Sequence, residues 1–312
     1  MEPLQIFQDP LSGWVIGKII DKAYSYGSLK GKIIFSKWKG HNQVHNWISR
    51  LNDYLGDEIK IFCQNISEPN IGIIGIYPLT KAQKDLAKKH RIRLKKINRP
   101  NDPHAIMIND PIWNIDPVNL EARTLDFASV CALRDEKIKP QILSSSAIIV
   151  CDKNKQLILH ERADEVATYP SCLHTLGGAY IPPGYRGVDS DRVSLASTKT
   201  REIHEEAQLA LSSDVEPPMM LSKELSTGFI QLVFLGHNIL PTAAKRLKGN
   251  WEGKIVYIPF DQLPSILENP KWVPTGKAHV LSWLALDTPG CSRKPKFNGL
   301  KAFQLFDKIV NK

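Results

Sequence analysis

Short apolar runs alternate with helical patterns along the first 140 residues. Isoleucine-rich runs at 32–35, 59–62 and 71–76 predict strands, and the stretches at 45–54 and 80–90 predict helices. This alternation is typical of a small α/β domain.

The pattern changes after this first part. A polar stretch at 135–146, with one proline and three consecutive serines, predicts a linker. Strand-like runs at 147–151 and 157–160 then flank a short turn, which predicts a hairpin. A long amphipathic helix follows, with Ser190 or Asp191 as its candidate cap and an end near Leu211.

The remaining periodicities complete the predicted organisation. Further strands are expected at 229–236 and 254–259, and further helices at 261–268, 277–286 and 298–310. We therefore predict the α/β class, with a small α/β domain at 1–140, a second domain with a mixed sheet at 141–290, and an amphipathic helix within 291–312. That helix either docks on its own chain or forms a homodimer contact.

Composition narrows the class of protein. The chain has 312 residues, of which 23% are charged, and its 21 prolines are scattered, which excludes wholesale disorder, collagen and coiled coil. Neither a leader-like start nor an apolar run of about 18 residues is present, so we expect a soluble cytoplasmic protein without a membrane partner. The five cysteines form no C-x-x-C pair, so no disulfide framework or structural zinc site is expected.

Positive charge is concentrated in one segment. The formal net charge is +9, and residues 81–99 contain nine basic side chains and a single acid. Such a field can hold phosphates or nucleic acid, with Lys88, Lys89, Arg91 and Arg93 as candidate contacts. The alternative is a solvated helix followed by a charged edge strand.

Three carboxylates gather on one face of the long helix. Glu202, Glu205 and Glu206 fall within about 100° of one another on a helical wheel, while Ile203 and Ala207 lie on a packing face. Like charges at this spacing cost about 0.2–0.5 kcal/mol per pair, so a cation should compensate them. A surface network with Lys199 is one interpretation, and a magnesium or manganese site is the other.

The surroundings of this helix resemble the Nudix hydrolase family. The family signature is G-x5-E-x7-R-E-U-x-E-E-x-G-U, where U is a bulky aliphatic residue. The glycine pair Gly177-Gly178 precedes the helix, and six positions of the helix match the signature as they stand: Arg201, Glu202, Ile203, Glu205, Glu206 and Leu209. The resemblance covers about half of the chain and implies an α/β/α sandwich.

The sequence departs from that signature in three respects. Counted from Gly178, the glutamate expected before the helix falls on Gly184, and nine extra residues then separate this position from Arg201. Counted from Gly187, the spacing is restored but the glutamate falls on Val193. Because this acid braces the arginine in the family, Arg201 needs another partner, and Asp189 and Asp191 are candidates. The glycine near the end of the motif is Gln208, which is expected to alter the helix exit.

The resemblance implies a chemistry for these residues. Glu202, Glu205 and Glu206, with the carbonyl of Gly178, would hold Mg²⁺ or Mn²⁺, while Arg201 and Gly177 would support the motif. The metal would neutralise a bound diphosphate and activate a water molecule. Glu252 is a candidate general base, with a surface turn as the alternative. The substrate stays open among ADP-ribose-like, nucleotide and thiamine-type diphosphates.

A second motif resembles the H-x-K-x4-D element of phospholipase D-like nucleases. It begins at His104, but Ile106 stands in place of the lysine and Asp110 comes one position early. Without the lysine a phosphodiester lacks its main charge partner, so we interpret the segment as a buried strand beginning at His104. The Nudix resemblance thus implies that the second domain hydrolyses a diphosphate linkage with Mg²⁺. The alternative is a non-hydrolytic sensor that binds a nucleotide-like ligand and signals through the first domain.

Overall fold

The computed structural model describes residues 47–64, 68–109, 118–166, 168–183, 194–211, 219–286, 296–297 and 300–311. The chain divides into two compact units, residues 1–49 and 50–312. In the first unit, residues 47–49 are described and are helical. The predicted strand at 32–35 lies outside the described residues.

The second unit contains the other described elements. After a helix at 50–55, its strands are β1 Ile59–Gln64, β2 Asn70–Ile76, β3 Pro103–Met107, β4 Asn119–Asp126, β5 Gln141–Cys151, β6 Gln156–Arg162, β7 Leu173–His174, β8 Leu176–Ala179, β9 Met219–Glu224, β10 Ile230–Asn238, β11 Gly253–Pro259, β12 Lys296–Phe297 and β13 Leu300–Lys301. Its helices are α1 Lys81–Lys96, α2 Phe127–Asp135, α3 Leu195–Ala207, α4 Pro241–Ala244, α5 Leu263–Glu268, α6 Pro274–Ala285 and α7 Ala302–Val310.

A mixed sheet of eleven strands organises the described part of this unit. Its main path runs β1-β9-β10-β5-β3-β4-β2, and β6, β7, β8 and β11 extend it from β5. Strand β5 pairs in parallel with β10 and antiparallel with β3, β6 and β8. The predicted α/β class with a mixed sheet is therefore confirmed.

The three serines predicted to form a linker lie inside the central strand β5. Ser144, Ser145 and Ser146 are buried, so the linker prediction for this part of the stretch is wrong. Two of the hydroxyls are satisfied within the sheet, because Ser144 Oγ donates to the carbonyl of Ile230 at 3.1 Å and Ser145 Oγ to that of Leu232 at 3.3 Å. Internal hydrogen bonds of this kind offset the cost of burying a polar residue.

Adjacent residues of β9 show which helix covers each face of the sheet. Leu221 belongs to the apolar cluster that includes Ile203 and Ala207 of α3. Successive strand residues point to opposite faces, and Ser222 Oγ lies 3.1 Å from Nε2 of His279 in α6. Helices α3 and α6 thus cover opposite faces, which gives the α/β/α layering that the sequence resemblance implies.

The sheet is continuous across the domain boundary predicted at residue 140. Strand β1 pairs antiparallel with β9, and Ile106 of β3 is paired with Ile142 of β5. The segments on either side of that boundary therefore share hydrogen-bonded strands.

Helix α7 docks on its own chain. Leu305, Phe306 and Ile309 are buried, and Arg50 anchors the helix through a 2.5 Å ion pair with Asp307. This outcome confirms intramolecular docking, while the homodimer contact stays a prediction.

Candidate functional site

The carboxylate-bearing helix α3 is positioned by its cap and its apolar face. Ser194 accepts a hydrogen bond from the backbone N–H of Ser197 and forms a reciprocal capping box with it. The predicted caps Ser190 and Asp191 lie outside the described residues. Ile203 and Ala207 are buried, as the helical wheel predicts.

Gln208 ends the helix in the left-handed conformation. Its φ is 54° and its ψ 31°, and its backbone N–H donates to the carbonyl of His204. A left-handed residue just after a helix is the usual place for glycine. Glutamine thus holds a conformation at this helix end for which glycine is favoured.

Each glycine of the pair in β8 is required by a close approach. Gly177 has a φ of +149°, and a β-carbon there would overlap the backbone of Ser145 and Ser146. A β-carbon on Gly178 would instead overlap the carboxylate of Glu202. The pair thus lets the strand lie against both β5 and the acidic face of α3.

Arg201 connects α3 to β8. One guanidinium nitrogen, Nη2, donates to the carbonyl of Ala179 at 3.1 Å and to Oε1 of Glu202 at 2.5 Å. The other, Nη1, is buried without a hydrogen-bond partner among the described residues. The candidate partners Asp189 and Asp191 lie outside those residues.

Glu206 is buried beneath the strand that carries the glycine pair. It is 4% exposed and accepts a hydrogen bond from the backbone N–H of Gly177 at 2.8 Å. Burial, with a smaller contribution from the negative charge of Glu202, raises its pKa well above the ordinary value. His160 Nδ1 lies 3.7 Å from Oε1 of Glu206, and burial lowers the pKa of His160 to about 4.

The acidic face of α3 borders a cavity of about 570 Å³. The carboxylates that line it are those of Asp102, Glu202, Glu205, Glu206, Glu224 and Glu252. The arginines that line it are Arg99, Arg134 and Arg162, and the aromatic rings include Phe127, Tyr169, Phe229 and Trp251. Negative and positive side chains therefore meet around one space of the size of a small-molecule site.

Glu252 lies in this cavity, between β10 and β11. Its backbone N–H donates to Oδ1 of Asn250 at 2.8 Å, and its carbonyl accepts from the N–H of Ala163 at 2.7 Å. Burial raises the pKa of its carboxyl group, and the negative charge of Glu205 adds to that effect. The structure thus brings the candidate general base into the cavity that the helix carboxylates line.

The donor set suits a hard divalent cation. Glu202, Glu205 and Glu206 present carboxylate oxygens at one cavity, and such oxygens are the ligands that Mg²⁺ and Mn²⁺ prefer. Within the described residues, no group of three His, Cys, Asp or Glu side chains lies in a ready-made arrangement for a metal ion. An ion would therefore have to draw the carboxylates together.

Lys199 does not belong to a surface network. It is 1% exposed, its Nζ lies 3.0 Å from Nε2 of His237, and the same atom lies 3.9 Å from the centroid of the Phe234 ring. This part of the sequence interpretation is wrong because Lys199 faces the sheet rather than solvent.

The basic segment comprises helix α1 and, after it, one residue that lines the cavity. Helix α1 continues to Lys96, so the predicted edge strand after it is wrong. Lys88, Lys89 and Arg93 are exposed. Arg91 is engaged structurally instead, because its Nε donates to Asp126 at 2.7 Å. Arg99, at the end of the segment, lines the cavity and lies 5.0 Å from the centroid of the Trp251 ring.

Sequence reasoning missed several cavity residues. His104 does begin a buried strand, β3, as predicted, but it also lines the cavity together with Arg134, Phe229 and Gln231. Asp110, the other end of that motif, lies outside the described residues. Trp251 could have been predicted to line the site because it is adjacent to Glu252 in the sequence. Arg134 and Gln231 belong to no motif that would indicate such a role.

Among the described residues, every helix is too short or too polar to cross a bilayer.

Comparisons with known proteins give structural matches alone. No protein-family profile matches the chain, and no curated protein matches it in sequence. A MutT protein from Methanosarcina mazei Go1 is 17% identical with a TM-score of 0.34, and the match covers 55% of this chain and 95% of that one.

Two further structural matches are to proteins that involve ADP ribose. The Nudix domain of NrtR from Shewanella oneidensis, complexed with ADP ribose, is 14% identical, with coverages of 48% and 88% and a TM-score of 0.34. A bifunctional NMN adenylyltransferase/ADP ribose pyrophosphatase from Francisella tularensis is 13% identical, with coverages of 48% and 43% and a TM-score of 0.35. At this level of similarity, an activity for this chain has to be argued from its own side chains.

Proposed function

We propose that this chain is a Nudix-type hydrolase that cleaves a diphosphate linkage in a nucleoside diphosphate derivative or a related organic diphosphate. One observation carries the proposal: the acidic face of α3 borders a cavity, and β8 approaches that face closely because Gly178 leaves room for the Glu202 carboxylate. A site of this kind combines metal ligands with room for a small molecule.

Glu202, Glu205 and Glu206, with the carbonyl of Gly178, would hold Mg²⁺ or Mn²⁺. A bound ion would neutralise the negative charge that develops on phosphate oxygens. Arg201 positions Glu202 through the 2.5 Å ion pair and ties it to β8 through Ala179. The assignment of the ligands rests on the chemistry of the donors and on their shared cavity.

The other cavity residues have separate tasks in this proposal. Glu252 accepts the proton of the attacking water, since a carboxyl group whose pKa is raised is better matched to neutral pH as a general base. Arg162, held by the carbonyl of Thr168 at 3.0 Å, faces the anionic part of the substrate. Water attack on phosphorus then yields two phosphate-bearing products.

A second candidate function is binding without cleavage. It is favoured by Arg201, whose Nη1 atom is buried without a hydrogen-bond partner in the described part of the chain. An arginine held through one of its two terminal nitrogens would position Glu202 less rigidly and slow the chemistry. In that case the protein would act as a sensor of a nucleotide-like ligand.

The deciding experiment is a mass-spectrometric screen with and without Mg²⁺. The compounds are ADP-ribose, dinucleotides, nucleoside triphosphates, coenzyme A and thiamine diphosphate. We expect metal-dependent cleavage that Glu205→Gln slows by at least ~100-fold, or about 2.7 kcal/mol of transition-state stabilisation. Glu161→Gln is the control, because Glu161 is paired with Lys254. Unchanged turnover in Glu205→Gln would contradict the metal site, and tight binding without cleavage would favour the sensor.

The proposal also covers the cellular compartment and the partner of the protein. The described cysteines Cys131, Cys151 and Cys172 are free thiols, which accords with a reducing compartment such as the cytoplasm. The partner we propose is a small-molecule diphosphate.

A further inference from the structure

The N-terminus of α3 is held by a carboxylate from a distant part of the chain. Oε1 of Glu68, just before β2, accepts a hydrogen bond from the backbone N–H of Ala196 at 2.8 Å. The side chain of Ser194 accepts from the N–H of Ser197, so Glu68 serves a second N–H of the first turn. Glu68 and Ala196 are 128 positions apart in the sequence. Their contact therefore depends on the tertiary structure.

Glu68 also brings the charge that this end of the helix favours. The N-terminus of a helix carries a partial positive charge, which a carboxylate stabilises. The first turn of α3 contains no acid of its own. Its acids Glu202, Glu205 and Glu206 lie in the C-terminal half, where the helix dipole disfavours them. Glu68 thus places a negative charge at the end of α3 where such a charge is stabilising.

Glu68 is itself anchored to the sheet. The next residue, Pro69, is buried. The backbone N–H of Asn70 donates to the carbonyl of Val118 at 2.9 Å, and its side-chain Nδ2 donates to Oδ1 of Asn119 at 3.1 Å. Because β2 and β4 fix the chain directly after Glu68, its hydrogen bond ties the start of α3 to the sheet.

The same carboxylate lies near the end of β8. Burial and, to a smaller extent, the negative charge of Glu68 raise the pKa of Tyr180 to about 12. Tyr180 directly follows Ala179, the last residue of β8, whose carbonyl accepts the hydrogen bond from Arg201. Glu68 is therefore close both to the start of α3 and to the strand against which the acidic face of that helix lies.

The other end of α3 is attached separately. Nδ2 of Asn250 donates to the carbonyl of Glu205 at 3.3 Å, and the N–H of Lys248 donates to the carbonyl of Ala207 at 3.2 Å. These bonds satisfy carbonyl groups in the last turn of the helix. Helix α3 is thus held at both ends by residues outside its own sequence.

Loss of one attachment should let the helix tilt about the other. Ala196 and Glu202 are six residues apart, or about 9 Å along the helix axis. The carboxylate of Glu202 fills the space beside Gly178, where even a β-carbon would overlap it. A tilt that starts at Ala196 would therefore change the position of Glu202 relative to Gly178.

We propose that Glu68 is a positioning residue, which sets the acidic face of α3 against Gly178 through its hydrogen bond to Ala196. The role of that face as a metal site rests on the proposed function. The position of the face needs neither a metal nor turnover, so the two ideas can fail separately.

The test is nuclear magnetic resonance of the full chain labelled with glycine that carries ¹⁵N and a ¹³C carbonyl. Gly177-Gly178 is the single pair of consecutive glycines among the 19 glycines of the sequence. Gly178 therefore gives the one amide signal that is coupled to a labelled carbonyl, and it lies beside the Glu202 carboxylate. We expect Glu68→Ala to move this signal by more than its line width in metal-free protein. An unmoved signal would overturn the proposal.

Two further variants identify the cause of the displacement. Glu68→Gln retains an acceptor oxygen, so its Gly178 signal should lie close to that of the parent. Thr80→Ala is the control, because Thr80 accepts from the N–H of Gln83 at the start of α1, a helix without cavity carboxylates. Its Gly178 signal should not move. Equal displacement in Glu68→Gln and Glu68→Ala, or displacement in Thr80→Ala, would overturn the proposal.

The same samples separate this inference from the hydrolase proposal. Bound Mn²⁺ broadens the signals of nearby nuclei, so an unbroadened Gly178 signal in the parent would contradict the proposed metal site. Displacement of that signal in metal-free Glu68→Ala supports the positioning role in either case. With a substrate that the parent hydrolyses, kcat of Glu68→Ala should fall at least ~10-fold with little change in KM. An unchanged kcat would overturn the positioning role.

Discussion

The carboxylate of Glu202 occupies the space that a β-carbon on residue 178 would need. Next to it, a β-carbon on Gly177 would overlap backbone atoms of Ser145 and Ser146. One glycine therefore makes room for a side chain of the site, and the other makes room for the sheet.

Alanine substitutions at these two positions should have different consequences. Gly178→Ala should fold with a loss of less than about 1 kcal/mol, because the flexible end of Glu202 can move aside, but turnover should fall at least ~10-fold. Gly177→Ala should cost at least about 2 kcal/mol, because backbone atoms must move and φ is +149°. Chemical denaturation and turnover assays measure both effects.

Gly72→Ala provides the control for these substitutions. The nearest atom to a β-carbon at that position is the Leu120 carbonyl oxygen at 4.0 Å. Normal stability and turnover are expected. Equal turnover in Gly178→Ala and Gly72→Ala would contradict a role for the contact with Glu202.

Glu252→Gln should lower kcat by roughly 100-fold with little change in KM, because general-base catalysis contributes at that level. Since the pKa of Glu252 is raised, activity of the parent enzyme should rise with pH as this carboxyl group loses its proton. The variant should lose that limb of the pH profile. Glu165→Gln, outside the cavity lining, is the control, and an unchanged pH profile in Glu252→Gln would assign the base elsewhere.

Gln208→Gly should raise the free energy of unfolding by about 1 kcal/mol, since glycine avoids the cost of the left-handed conformation. His204→Gly, in the interior of the same helix, should lower it by about 1 kcal/mol. Urea denaturation distinguishes the two. Destabilisation by both substitutions would show that the Gln208 side chain makes contacts worth more than its backbone strain.

The exposed charges of α1 provide a test of nucleic-acid binding. Replacing Lys88, Lys89 and Arg93 by Glu should abolish salt-dependent binding of single-stranded oligonucleotides and leave hydrolysis unchanged. Arg91 is kept, because it supports Asp126 at the start of α2. If the parent protein shows no salt-dependent binding in fluorescence anisotropy, this face of the helix is merely solvated.

Buried histidines should make the fold sensitive to acid. Burial lowers the pKa of His174 and His237 to about 3 and that of His279 well below its ordinary value. The unfolded chain then binds more protons than the folded one below pH 6.5, so stability falls as pH falls. Each such histidine should lower the free energy of unfolding by about 1.4 kcal/mol when the pH falls from 7.5 to 5.5.

His279→Gln directly tests the prediction that stability falls as the pH falls. Urea denaturation at pH 7.5 and 5.5 should show a smaller loss of stability in the variant than in the parent, by about 1.4 kcal/mol. Glu206 and Glu252, whose pKa values are raised, act in the opposite direction in both proteins and cancel in the comparison. The control is His204→Gln at an exposed position, and an equal pH dependence of parent and His279→Gln would contradict the prediction.

Local patterns predicted the elements that carry the site. The spacing of Ile203 and Ala207 indicated the buried face of α3, and the same wheel placed Glu202, Glu205 and Glu206 together. Glu206 nevertheless turned out to be buried, because β8 packs over it through the N–H of Gly177. A helical wheel describes one helix and contains no information about the strand that covers it.

Long-range pairing explains what the sequence did not predict. Ser144 and Ser145 look like linker residues until β10 supplies carbonyl acceptors from 86 and 87 residues away. Lys199 looks like a surface cation until His237, 38 residues further on, lies beside it. Arg134 and Gln231 reach the cavity from elements without motifs, so pattern analysis contained no signal for them.

The pairing of β1 with β9 has a consequence for synthesis of the protein. Strand β1 leaves the ribosome well before β9, the strand beside it in the sheet. Until then the buried Ile59 and Ile61 have no partner strand at that edge. Until β9 emerges, the nascent chain therefore presents an apolar strand edge without its partner, and exposed edges of this kind are prone to aggregate.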